Sequence, residues 1–288
     1  MCDDSSVDLV LTSPPYWKKR KYNVEGEIGQ EAKYSEFVEK FEKFFSECKR
    51  VLTKHGSIML NLADTFHKKH LTGYIFDIEK IGRKYGFTLR NRICWVKENG
   101  MPEPATDRLA QRHEFIFHFT KEKSGYYFDL HGYANRYGNG SNPGDVLRIN
   151  VTPNDSSHLA PFPEELVEHL LTMACPPLVN SSTGKPCTRS LRKTRKLNPN
   201  RTQARRAMEL AKDLSDDHIR AIQSTGITDV GKARSIQTGV DKNSEQVRAL
   251  AAEAKEALGG YFREFTFAIK ETDYWDQNGP KLEFRRGI

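Results

Sequence analysis

Apolar positions along the chain fall into two rhythms, short continuous runs and stripes at spacings of three and four. Val7-Asp8-Leu9-Val10-Leu11 is a branched, nearly continuous run and reads as a buried strand. Ser57-Ile58-Met59-Leu60-Asn61-Leu62, Thr88 to Val96 and Glu114 to Phe119 read as further strands, and Tyr126-Tyr127-Phe128 as a short one. Between them, Phe37, Phe41, Phe44, Phe45, Cys48 and Leu52 recur at helical spacing, which predicts a core-facing helix over 34–52. Residues 72–85, closed by Gly86, predict a second helix, and Phe162 to Ala174 a third, with Pro163, Glu164 and Glu165 suited to its first turn. Strands alternating with helices predict an α/β fold with a mostly parallel sheet and an antiparallel pair at the end. Residues 129–160 are rich in glycine and proline and read as turns.

The rhythm changes after Cys175. Between Lys185 and Arg206 there are nine basic residues and no acidic one. Short helical patterns follow over about 203–213, 215–224 and 243–258, and then an apolar segment, Tyr261 to Ile269. The expected organisation is therefore a catalytic region over 1–175, a basic helical insertion over 176–260 and a return segment over 261–288.

Composition narrows the function classes. The chain has 288 residues, 37% of them hydrophobic, which is enough for a substantial core. No apolar run is long enough for a membrane-spanning helix, and the first residues lack the features of a secretory signal. The five cysteines are odd in number and widely spaced, which fits free thiols in a reducing cytoplasm. Neither they nor the histidines offer a zinc-ligand spacing, so no metal is expected. The net charge of +7 favours a polyanionic partner. Lys18, Lys19 and Arg20, together with Arg189, Arg192, Lys193, Arg195, Lys196 and Arg201, are the candidate phosphate contacts.

The candidate chemistry sits where the first strand stops, at Thr12-Ser13-Pro14-Pro15-Tyr16-Trp17. Two prolines end a central strand, so this cluster belongs at the sheet's C-terminal edge, where open α/β sheets bind ligands. An exocyclic amino nitrogen of cytosine or adenine is a poor nucleophile, because its lone pair is delocalised into the ring. Acceptors placed on its hydrogens favour a tetrahedral nitrogen. Ser13 Oγ and the Pro14 carbonyl are such acceptors, held by the fixed φ of proline. Pro15, Tyr16 and Trp17 are candidates to contact an extruded base, with the Tyr16 ring stacking on it.

These residues resemble the catalytic motif of the N4-cytosine/N6-adenine DNA methyltransferases. The order of the later blocks is similar to the permuted group, in which the catalytic half precedes the cofactor half. Those blocks are Gly26 to Glu31, Arg50-Val51-Leu52 with Gly56 to Leu62, Trp95-Val96-Lys97, Met101-Pro102, Arg112 to Phe119 and His158 to Leu166. The resemblance implies a partial Rossmann-like methyltransferase sheet with a small, mostly helical insertion. It also implies S-adenosylmethionine as methyl donor, held in part by Thr12, His158, Phe162, Pro163 and Leu166, and double-stranded DNA as substrate, in the setting of restriction-modification. A serine-type motif resembles the cytosine-N4 members more than the adenine-N6 ones. The family's glycine-rich cofactor loop has no counterpart in these 288 residues. The expectation is therefore a truncated chain, a half-enzyme completed by a second polypeptide, or a non-catalytic DNA-binding remnant. RNA or protein-amide methylation is a further alternative.

Overall fold

We describe a computed structural model of the chain over residues 2–21, 25–100, 103–151, 163–226, 243–275 and 282–283. The chain divides into two compact units, Met1–Thr188 with Gln277–Ile288, and Arg189–Asp276.

The first unit is built on β1 (Val7–Thr12), α1 (Tyr34–Val51), β2 (Leu52–Leu62), a small hairpin of β3 (Phe66–His67) and β4 (His70–Leu71), α2 (Tyr74–Lys84), β5 (Thr88–Val96) and β6 (His113–Thr120). It continues with α3 (Leu130–Tyr137), β7 (Val146–Arg148), α4 (Glu164–Ala174) and the two-residue β8 (Val179–Asn180). The principal sheet runs β1-β2-β6-β5-β7. β1 is parallel to β2 and β5 to β7, while β6 lies antiparallel to both β2 and β5.

The sheet is less parallel than expected, because the 97–112 connection folds straight back. Val96 at the end of β5 pairs with His113 at the start of β6, and β6 then slots between β5 and β2. This topology brings the ends of β1, β2 and β5 and the start of β6 to one sheet edge.

Each face of the sheet has its own core. On one, α1 and α2 pack Phe37, Phe41, Phe45, Ile75 and Ile78 against Ile58, Leu60, Leu62, Phe117 and Phe119. On the other, Tyr133 of α3 and Leu166, Leu170 and Met173 of α4 pack with Met59, Ile93, Trp95, Ile116 and Leu147. The period-2 alternation of β2 and β6 assigns neighbouring residues to opposite faces.

Two local expectations fail. Residues 126–128 form no strand. Tyr127 donates one backbone bond to His55, and Phe128 lies against the His118 ring, so side-chain burial rather than a ladder holds them. The supposed turn region holds α3 and β7. α3 is short and poor in helix formers, but Asp129 caps Gly132 N and Tyr133 and Ala134 are buried. β7 has only three residues, too few for a periodic signal.

The second unit contains β9 (Arg189–Lys193), α5 (Thr202–Leu210), α6 (Asp216–Thr225), α7 (Glu245–Leu258), α8 (Phe262–Thr266) and β10 (Ile269–Trp275). Its core is Ala207, Ala211, Ile219, Ile222, Ala254, Leu258 and Phe265. The alanines allow close helix approach where the sequence shows only weak stripes. β9 and β10 pair antiparallel, which moves the unit's boundaries to 188/189 and 276/277, against 175 and 260 read from composition. Finally, β11 (Leu282–Glu283) pairs with β8 in the first unit. None of the five cysteines is in a disulfide, and no helix among the described residues is long and apolar enough to cross a membrane.

Candidate active site

Ser13 follows β1 directly at the shared sheet edge. The segment after it is tied down from below. Lys18 N donates to Gly29 O at 2.8 Å, Lys19 N to Tyr16 O at 3.2 Å, and Lys18 Nζ to Glu31 O at 2.5 Å. Gly29 has φ +95°, and a Cβ there would stand 2.7 Å from Tyr16 O, so the 26–31 loop is a close-fitting support for the motif. Glu31 completes it, accepting from Gly29 N at 2.9 Å and pairing with Lys40 at 2.8 Å.

Above this support the polar side chains converge. Tyr16 Oη donates to Glu114 Oε2 at 2.6 Å. Asn61 Nδ2 donates to Glu114 Oε2 at 2.6 Å and to Tyr16 Oη at 3.0 Å, and lies 3.4 Å from Ser13 Oγ. Ser13 Oγ and Tyr16 Oη are 3.1 Å apart. Lys97 forms an ion pair with Glu114 Oε1, and its ammonium sits 4.2 Å from the centre of the Trp95 ring.

Counting donors fixes the direction of these bonds. A carboxylate only accepts, so the single Tyr16 hydroxyl hydrogen goes to Glu114 and the Asn61 amide presents its NH2 to the same oxygen. Tyr16 Oη is then limited to accepting. Ser13 must be the donor in the Ser13–Tyr16 bond, which commits its hydrogen inward and leaves the Oγ lone pairs as acceptors. Asn61 has two hydrogens for three neighbours, and the two shorter contacts take them. Burial, and then the Glu114 charge, hold the Tyr16 phenol well above its ordinary value, so it remains protonated.

Sequence reading did not single out Asn61, Glu114 or Lys97. Their signals are weak but visible, a lone amide in an apolar strand, an acid opening the run Phe115 to Phe119, and a cation just past Trp95-Val96.

Several expected roles change. Trp17 is 7% exposed and packs 4.9 Å from Phe37 and 5.4 Å from Tyr34, so it belongs to the core and does not face a base. Pro163 precedes α4 and is buried, and Leu166 is 0% exposed in the second core, so neither presents a surface to a cofactor. Thr12, Ser13, Pro14, Pro15 and Tyr16 are half-buried at the edge. His158 and Phe162 lie outside the described residues.

Among the candidate DNA contacts, Lys18 is committed to Glu31, while Lys19 and Arg20 are exposed. In the second unit, Arg201 makes a two-pronged pair with Glu264 at 2.9 and 3.2 Å. Arg195 pairs with Asp216 at 2.5 Å and donates to Leu214 O at 2.8 Å, and Lys193 donates to Gln223 O. These three hold their own unit together. Lys196 is exposed and Arg189 half-buried, and the side chain of Arg192 lies outside the description. Among the described residues no three His, Cys, Asp or Glu side chains converge as a metal site would require.

The DNA methylase family model matches residues 7–182, which contain every member of this network. The chain belongs to the DNA methylase family. It is 30% identical to the Type II methyltransferase M.Cfr9I of Citrobacter freundii over 203 residues, covering 60% of this chain and 67% of that one. It is 32% identical to M.XycI of Xanthomonas campestris pv. cyanopsidis over 193 residues, covering 56% and 64%. The chain thus spans about two thirds of the length of these relatives. A solved structure described as the PvuII cytosine-N4-specific DNA methyltransferase shares the fold, with a TM-score of 0.50, 21% identity and coverage of 61% of this chain and 66% of that one.

Proposed function

We propose that this chain presents a base for S-adenosylmethionine-dependent methylation of an exocyclic amino group in double-stranded DNA, with cytosine N4 as the target. The observation that carries the reading is the direction of the hydrogen bonds at Ser13. With its own hydrogen spent on Tyr16, Ser13 offers lone pairs, which is what an amino group about to become a nucleophile needs. Membership of the DNA methylase family supports the same chemistry.

In the proposed mechanism the target base leaves the stack and enters the edge beside Tyr16. One amino hydrogen is accepted by Ser13 Oγ and the other by the Pro14 carbonyl. The nitrogen lone pair is thereby drawn out of conjugation with the ring. The Tyr16 phenol is not a proton acceptor, since Glu114 holds its proton and burial opposes ionisation. The serine at position 13 resembles the motif of the family's cytosine-N4 members, and that resemblance supports cytosine over adenine N6.

Bound S-adenosylmethionine supplies an electrophilic methyl group. Thr12, half-buried at the sheet edge, is the described residue that would meet it, while Asn61, 1% exposed, keeps a buried Oδ1 acceptor without a hydrogen-bond partner among the described residues. A second polypeptide carrying the glycine-rich loop is part of the proposal, and mixing experiments address it.

The test is transfer of labelled methyl from S-adenosylmethionine to DNA. Ser13→Ala should lower the rate by about 10²–10³-fold, the usual effect of deleting one oriented polar group from such a site. Tyr16→Phe removes only the hydroxyl and should lower the rate less. Equal rates in wild type and Ser13→Ala would overturn the assignment. Digestion of the product to nucleosides separates N4-methylcytosine from N6-methyladenine.

A further inference from the structure

The hairpin β3–β4 directly follows the active-site strand and has no part in the chemistry just described. Phe66 pairs with Leu71 and His67 with His70, so Lys68 and Lys69 form a two-residue turn. Both lysines are in the left-handed region, with φ of 49° and 68°. A turn of this kind ordinarily takes Asn-Gly, because each L side chain with a Cβ pays on the order of 1–2 kcal/mol there. Strain kept at a tip signals that the side chains placed there have a use.

The rest of the hairpin is built to hold that tip rigidly. Asp64, 5% exposed, accepts from Thr65 N at 2.8 Å, Thr72 Oγ1 at 2.6 Å and Gly73 N at 3.0 Å, locking both ends of the excursion. Thr72 N also donates to Thr65 O at 2.9 Å. From the side, the Arg108 guanidinium lies 4.0 Å from the centre of the Phe66 ring, bracing the hairpin with the 97–112 connection. The tip itself is fully open. His67, Lys68, Lys69 and His70 are all exposed, and among the described residues neither lysine has an acidic partner.

We infer that the 66–71 hairpin is a phosphate-contacting element that grips the duplex beside the extruded base. This inference rests on the reading of the chain as a DNA methyltransferase. Position supports it, because the hairpin leaves the same sheet edge that carries Ser13, and Lys68 is seven residues beyond Asn61. Seven extended residues span at most about 25 Å, or roughly seven phosphate steps along one strand. The lysine pair is therefore within reach of phosphates flanking a base held at Ser13. A rigid, strained, doubly cationic turn without an internal anion matches a polyanion backbone better than a solvated surface, where nothing would offset the strain.

The experiment is binding of a fluorescein-labelled duplex, followed by anisotropy between 50 and 200 mM salt. The test variant is Lys68→Asn/Lys69→Gly, which removes both charges and installs the residues the turn prefers, so loss of the fold is not a concern. The control is Lys54→Ala/Lys123→Ala, which removes two exposed charges near the opposite edge of the sheet. The hairpin variant should lower the slope of log K against log salt by about 2, since each lost phosphate contact contributes about 0.9. The control should leave the slope unchanged. An unchanged slope in the hairpin variant, or equal loss in both variants, would overturn the hairpin's role while leaving the proposed function in place. Absence of DNA binding by the wild-type chain would sink both readings together.

Discussion

The two faces of the principal sheet use the same strands for opposite purposes. On the face covered by α1 and α2, β2 and β6 contribute Ile58, Leu60, Leu62, Phe117 and Phe119, all fully buried. On the face covered by α3 and α4, the alternate residues include Ser57, Asn61, Glu114 and His118 beside Met59 and Ile116. The first face is aromatic and aliphatic, and its stability comes from removing apolar area from water. The second gives up part of that gain to keep polar groups under cover, and each needs partners to offset desolvation. The candidate site draws Asn61 and Glu114 from the face where burial and hydrogen bonding oppose each other.

The largest expected effect tests whether the apolar face is scaffold alone. Phe119 is fully buried, 5.5 Å from the Phe45 ring and 6.4 Å from Phe87. Phe119→Ala should cost about 3–5 kcal/mol in denaturant unfolding. Methyl transfer per folded molecule, measured at low temperature, should stay near wild type. A normal stability with a large loss of rate would break the comparison.

A smaller effect comes from the polar face away from the site. His118 is buried against Phe128, with Nε2 3.3 Å from Ser57 Oγ, and burial, helped by the Arg90 charge, lowers its pKa from 6.5 to about 4. The folded form therefore resists a proton that the unfolded chain accepts. Stability from this group is complete above pH 6.5 and is lost as pH falls towards 4. Between pH 7 and pH 5 the loss should be about 2 kcal/mol. His118→Gln should flatten that part of the profile, and a wild-type profile that is already flat would refute the buried neutral imidazole.

How far the sequence could be read follows the same division. The apolar face was legible because Phe37, Phe41, Phe45 and the β6 phenylalanines carry strong periodic signals. Ser13 and Tyr16 were legible because two prolines after a buried strand place them at an edge. Glu114 and Asn61 were not, because a polar residue inside a strand gains meaning only from strand order, and β6 lies between β2 and β5 against the expected topology. The basic run carries less unpaired charge than its composition suggests, for a related reason. Arg195 and Arg201 find Asp216 and Glu264, acids that lie far along the chain, so local charge overstated the free positive surface.

Glu114 gives the smallest effect and the sharpest test of the comparison. If the polar face works by fixing hydrogen-bond direction, its acid acts through Tyr16 on Ser13 and never touches the base. Glu114→Gln keeps the shape but adds an NH2 that can donate to Tyr16 Oη. Tyr16 is then free to donate to Ser13, and the Ser13 hydrogen turns towards the amino group it should accept from. The expected loss is about tenfold in rate, the low end of what one hydrogen bond to a charged group is worth. In a Tyr16→Phe background the intermediary is gone, so Glu114→Gln should cost little more, and the pair should be strongly non-additive. Additive losses would mean that Glu114 acts on the site by a route other than Tyr16, for instance through Lys97, whose ammonium it holds. The polar face would then contribute charge rather than direction.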